Sequence, residues 1–152
     1  MIFTTKEEVE TSAARVMAVL SDVDAAERAA LRRGIRVERV DSTAVFGEGL
    51  RWKADFTMRG KKRRMDLHLA RLDPEGQMAF AGQTDSLAGT LVFDVLPLSV
   101  RRSRLSVTLE VKPRTLSARL LLQSLRLTKS SLTARYKSRI RALAREIELR
   151  AR

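Results

Sequence analysis

Apolar and polar residues alternate with period two in a series of segments between residues 2 and 112, interrupted by two short helical stretches, and with a helical period from about Thr115 to the end. Residues 2–9 read as a short strand entering the fold. Thr11 or Ser12 is placed to cap a first short helix whose apolar positions are Val16, Met17 and Leu20. Asp24 with Glu27 three residues later gives the capping-box pattern of a second short helix, which Gly34 ends. That assigns Asp22 and Asp24 to local structure rather than to a metal. Ile35 to Asp41 alternates again as a strand.

A strand series follows, with turn signals at short intervals. Leu50, Trp52, Ala54, Phe56 and Met58 alternate with Arg51, Lys53, Asp55, Thr57 and Arg59, the pattern of an antiparallel strand with one face buried. After a basic turn at 59–62, Met65, Leu67 and Leu69 continue the buried face and leave Asp66 and His68 outward. Asp73-Pro74-Glu75-Gly76 is a turn. Met78 and Phe80 open the next strand, which Asp85-Ser86 ends. Leu91, Phe93 and Val95 follow, with Pro97 expected to break the run, and Leu105, Val107, Leu109 and Val111 form the clearest strand of all.

Pro113 keeps Lys112 extended, and from about Thr115 the pattern is helical. With Leu125 as the zero of angle and ~100° per residue, Leu121, Leu132, Tyr136, Ile140, Leu143 and Ile147 fall within roughly 60° of it. A straight helix of this length runs on the order of 50 Å, longer than any strand here. Either it bends near Thr128–Ser131 or one end overhangs the sheet. The elements therefore predict an α+β domain spanning 1–152, a curved antiparallel sheet of about seven strands wrapped around one long C-terminal helix.

Composition narrows the chemistry. The 152 residues contain no cysteine and one histidine, which excludes disulfides, thiol nucleophiles and cysteine- or histidine-rich metal centres. No metal or cofactor is expected. No stretch approaches the roughly 18 apolar residues of a membrane span, and the N-terminus has no signal-peptide core, so a cytoplasmic protein is expected. The net charge of +12 is uneven: residues 1–50 carry −2, 51–112 carry +5 and 113–152 carry +9. Such a field attracts polyanions or anionic lipid without choosing between them. The basic runs at Arg59–Arg64 and Arg101–Arg104 read as solvated turn charge.

The element order, with Val16-Met17-Ala18-Val19-Leu20-Ser21-Asp22 in the first helix, Gly47-Glu48-Gly49 before the third strand and Leu116-Ser117-Ala118-Arg119-Leu120-Leu121-Leu122 opening a basic helix, resembles the SRPBCC superfamily. That group comprises START-like lipid carriers, birch-pollen-allergen-like proteins and polyketide cyclases. The resemblance implies the helix-grip fold and an apolar cavity between sheet and helix for a small hydrophobic or amphiphilic ligand.

Trp52, Phe56, Phe80, Phe93, Leu125, Leu132 and Tyr136 are the residues expected to line that cavity, or simply to fill a core. The indole and phenol edges of Trp52 and Tyr136 are expected to face a guest. Lys129 and Arg139 lie about 40° to either side of the helix stripe, as charge at the cavity mouth or as snorkelling cations. No catalytic set is apparent: His68 faces outward, and Thr84 and Tyr136 are the clearest inward polar groups. A cyclase-like enzyme using them is the alternative to a carrier. Leu116, Leu120 and Leu127 cluster on the back of the helix among arginines, an interaction surface for an anionic membrane or a second copy. A nucleic-acid partner is disfavoured, because Tyr136 is the one ring in the basic helix.

Overall fold

A computed structural model describes all residues from Met1 to Arg152. Strand β1 (Ile2–Val9) is followed by helices α1 (Ala13–Leu20) and α2 (Val23–Arg32). Then come β2 (Arg36–Arg39), β3 (Arg51–Met58), β4 (Lys61–Asp73), β5 (Gln77–Gln83), β6 (Leu87–Ser99) and β7 (Arg102–Pro113). Helix α3 (Leu116–Leu125), a 3₁₀ turn (Arg126–Thr128) and helix α4 (Lys129–Arg150) complete the chain. The seven strands form one antiparallel sheet in the order β1-β7-β6-β5-β4-β3-β2. β1 therefore pairs with the last strand, not with its neighbour in sequence, which brings the chain's start beside the helices at its end.

Local chemistry explains most boundaries. Ser12 caps α1 by accepting from the Arg15 amide, and Thr115 caps α3 by accepting from the Ala118 amide. The tight β3–β4 hairpin turns through Arg59 (φ 52°) and Gly60 (φ 76°), the two positive values that a two-residue type I′ turn needs.

Two expectations are corrected, and one open alternative is decided. The cap of α2 is Asp22, which accepts from the Ala25 amide, while Asp24 and Glu27 pair with Arg39 instead. β6 does not stop at Pro97 but runs to Ser99 with a register slip there. Its pairing with β5 ends at Asp94, so Pro97 lies on a locally free edge where its missing N–H costs nothing. The long helix breaks at Arg126–Thr128, at the start of the polar stretch where a bend was one of two expectations. Here Ser124 donates to the Leu121 carbonyl (2.7 Å) and Thr128 to the Leu125 carbonyl (3.1 Å), back-bonds that bend helices.

The core is one cluster, concentrated where α1 and the C-terminal half of α4 cover the sheet. Val9, Val16, Leu69, Met78, Leu105, Val107, Ala144 and Ile147 are sealed there. Polar ties hold that end of α4: Arg145 donates to the Glu8 carbonyl (2.7 Å), Glu148 accepts from the Glu10 amide (2.7 Å), and Arg150 pairs with Asp22 (3.0 Å). No helix is long and apolar enough to cross a membrane.

Candidate ligand-binding groove

Strand pairing fixes which side chains share the inner face. One cross-strand row runs Trp52–Leu67–Gly82–Gly89–Val111, and the next runs Leu69–Phe80–Leu91–Leu109–Phe3. A third runs Leu72–Met78–Phe93–Val107–Thr5. Burial is graded along this face. Met78, Phe93 and Val107 are closed off by the core, whereas Phe56, Met65, Leu67, Phe80, Leu91, Leu109 and Val111 remain partly open.

The helix shows the same gradient. Ile140, Ala144 and Ile147 are buried, whereas Leu121, Leu125, Leu132 and Tyr136 are partly open. The partly open apolar residues of the sheet, of α3 and of the first half of α4 together outline a candidate groove on the inner face. Small residues help to shape it: a Cβ on Gly82 would come within 3.0 Å of the Met65 sulfur and 3.2 Å of a Leu67 methyl.

Three of the aromatic candidates, Trp52, Phe80 and Phe93, form a connected set, and Tyr136 stands apart from them. The Phe80 ring lies 6.0 Å from Trp52 and 6.3 Å, edge-on, from Phe93, and Tyr136 lies 5.6 Å from Phe3. Phe93 and Trp52 are buried in the core, while Phe56, Phe80, Leu125, Leu132 and Tyr136 border the open part.

The two polar edges expected to meet a guest are both engaged by the protein. The Trp52 indole donates to Glu27 Oε1 (3.3 Å), which also accepts from Arg39 Nε (2.6 Å). The Arg39 guanidinium reaches Asp24 as well (2.6 Å), and these carboxylate bonds, that to Glu27 above all, hold it more firmly protonated than a free arginine. The Tyr136 hydroxyl donates to the Val107 carbonyl (2.6 Å), and burial pushes its pKa up to about 12. Thr84 is likewise occupied, its oxygen accepting from the Ser86 and Leu87 amides in the β5–β6 turn.

One cation missed by the sequence reading stands on the inner face. Arg63 belongs to the basic run assigned to solvated turn charge, yet it shares the phase of Met65, Leu67 and Leu69 and pairs across the sheet with Phe56. Its Nε is buried without a hydrogen-bond partner. Extending the β4 alternation back by one inward position was the signal that would have found it. Its neighbour Arg64 points outward and pairs with Asp55 (2.9 Å), which holds that carboxyl below its usual range.

Lys129 and Arg139 are exposed on α4. Leu116, Leu120 and Leu127 are 71%, 57% and 90% exposed.

A hollow of about 650 Å³ lies on the opposite face of the sheet. On that face β5 and β6 present the short side chains of Ala81 and Ala88 at its floor. Its walls are charged, with Arg51, Lys53 and Asp66 on one side and the Glu110–Lys112 pair (3.4 Å) on the other. His68 faces outward as its alternation requires, but it borders this hollow rather than open surface. An open, charged trough over backbone offers an apolar guest little, so the inner groove is the better candidate.

No protein-family model and no curated protein matches the sequence, but solved structures match its fold. An aromatase/cyclase from Streptomyces sp. R1128 superposes with a TM-score of 0.68 at 18% identity, covering 100% of this chain and 96% of that one. A point mutant of norcoclaurine synthase from Thalictrum flavum, in complex with a transition-state analogue, gives 0.69 at 13%, covering 99% and 93%. A START-superfamily protein from Mycobacterium smegmatis gives 0.55 at 16%, covering 90% and 97%. The chain shares the helix-grip fold of these structures.

Proposed function

We propose that this protein binds a small amphiphile, its apolar body in the inner-face groove and an acidic head at Arg63. The observation that carries the reading is the unpartnered Arg63 Nε at an otherwise apolar wall. A buried donor without a partner is costly, and a carboxylate, sulfonate or phosphate supplies the charge-assisted bonds that satisfy it. With the Trp52 and Tyr136 edges already engaged, recognition rests on shape, apolar contact and this one cation. Lys129 and Arg139 then serve as secondary, solvent-exposed attraction for the same head group. The neighbours lend support in kind, since norcoclaurine synthase in this fold has been seen with dopamine and hydroxybenzaldehyde bound.

The test is a fluorescence titration with a long-chain fatty acid probe and its methyl ester, on the wild type and Arg63→Met. The wild type is expected to prefer the acid by roughly tenfold to a hundredfold, and the variant is expected to lose that preference while keeping the ester. Equal affinity of the wild type for acid and ester, or an unchanged preference in the variant, overturns the assignment of the head group. Native mass spectrometry of the protein from its own source then names the guest.

A further inference from the structure

Helix α3 presents two different apolar faces. Ala118, Leu121, Leu122 and Leu125 turn towards the protein and are buried or partly buried. Leu116, Leu120 and Leu127, spaced at four and seven residues, turn the other way and are 71%, 57% and 90% exposed. A helix that packs by one face gains nothing in the folded chain from a leucine row on the other.

Around that row the charge is of one sign. From Val111 to Arg145 the chain carries ten lysines and arginines and no aspartate or glutamate. Arg119, Arg126, Lys129, Arg135 and Lys137 are exposed, and none of them forms an ion pair; the paired cations of this stretch are Lys112, Arg141 and Arg145, at its two ends.

We infer that α3 and the following turn form an interfacial anchor that lays Leu116, Leu120 and Leu127 into an anionic lipid surface. Arg119 and Arg126 lie at the headgroup level in that arrangement. The leucine row supplies the apolar side of an in-plane amphipathic helix, and the cations supply attraction to acidic headgroups. The helix lies on the bilayer, since no helix here is long and apolar enough to cross one.

Two other occupants fit the surface less well. A second copy docked by a two-fold axis would set Arg119 and Arg126 against their own images, with no acidic residue on α3 to receive them. A nucleic acid would use the cations but leave the leucines in water, and the one ring of the basic helix, Tyr136, is bonded inward. The inference is independent of the groove and of Arg63.

The experiment is co-sedimentation of the full chain with vesicles of phosphatidylcholine alone and with vesicles containing equal amounts of phosphatidylcholine and phosphatidylglycerol. The wild type is expected to bind the mixed vesicles and not the neutral ones. Leu120→Ser/Leu127→Ser is expected to bind them at least about tenfold more weakly, with an unchanged melting temperature and an unchanged weak affinity for a single-stranded oligonucleotide. Should the double variant fold poorly, Leu127→Ser alone gives the same comparison at the most exposed position of the row.

Absence of binding to the mixed vesicles overturns the proposal. So does equal binding by the leucine variants, which would mean charge attraction alone. A wild-type dimer in light scattering that the leucine variants dissociate would assign the row to a second copy instead.

Discussion

Tyr136 is the only tyrosine of the chain, which makes its environment directly readable. Its hydroxyl donates to Val107, and burial raises its pKa from 10.0 to about 12. The folded state therefore holds the phenolic proton more tightly than the unfolded state. This contribution to stability is complete below pH 10 and is lost as the pH rises through about 12. Absorbance titration is expected to give one midpoint near 12 in the native protein and near 10 in denaturant. Tyr136→Phe should unfold at alkaline pH without this component of the loss.

Gly76 makes a second residue-scale case. It sits at φ 142°, and a Cβ there would land against the Val95 carbonyl oxygen. Gly76→Ala is expected to cost about 2–4 kcal/mol in urea unfolding, from strain and steric conflict together. Gly47→Ala, where a Cβ meets nothing within 4 Å, should change stability by less than about 0.5 kcal/mol.

At the scale of elements, α4 is held firmly at one end and loosely at the other. Its last turns bury Ala144 and Ile147 and are tied by Arg145, Glu148 and Arg150 to β1 and to the cap of α2. Its first turns leave Leu132 and Tyr136 partly exposed at the candidate groove. Truncation should expose this asymmetry. Ile147→Ala is expected to lose about 3–4 kcal/mol, because a sealed site cannot relax around the missing atoms. Leu132→Ala should lose only about 1 kcal/mol, since that side chain is already partly hydrated. Similar losses at both positions would mean that the groove is as tightly closed as the core.

α2 has its own fastening. The Glu27 carboxylate receives both Arg39 and the Trp52 indole, joining the helix to β2 and β3 through two partly buried charges and one ring. The capping-box pattern at Asp24 and Glu27 concealed this role, because the same acidic residues suit a helix start and a cross-element pair.

At the scale of the molecule, β1 and β2 are the two edges of the sheet, and the strongest packing lies under α1 and α4. Period-two alternation in β3, β4 and β7 and the turn at Asp73–Gly76 were enough to place those strands and name their inward faces. The single apolar stripe through Leu121, Leu125, Leu132, Tyr136, Ile140 and Ile147 was likewise enough to name the covering face of α3 and α4. The excess of +9 in the last 40 residues and the exposed leucines of α3 were also present in the sequence. These features are local: each follows from the spacing of residues along one element.

What the sequence did not determine is non-local. Only the tertiary structure decided that the polar edges of Trp52 and Tyr136 meet Glu27 and Val107, because donors and acceptors 25 and 29 residues apart become neighbours only through strand pairing and helix placement. Only it separated the sealed part of the inner face from the open part, since that depends on where α4 crosses the sheet. The same holds for Arg63. Its inward direction was written in the alternation, but its want of a partner depends on every chain segment that folds around it.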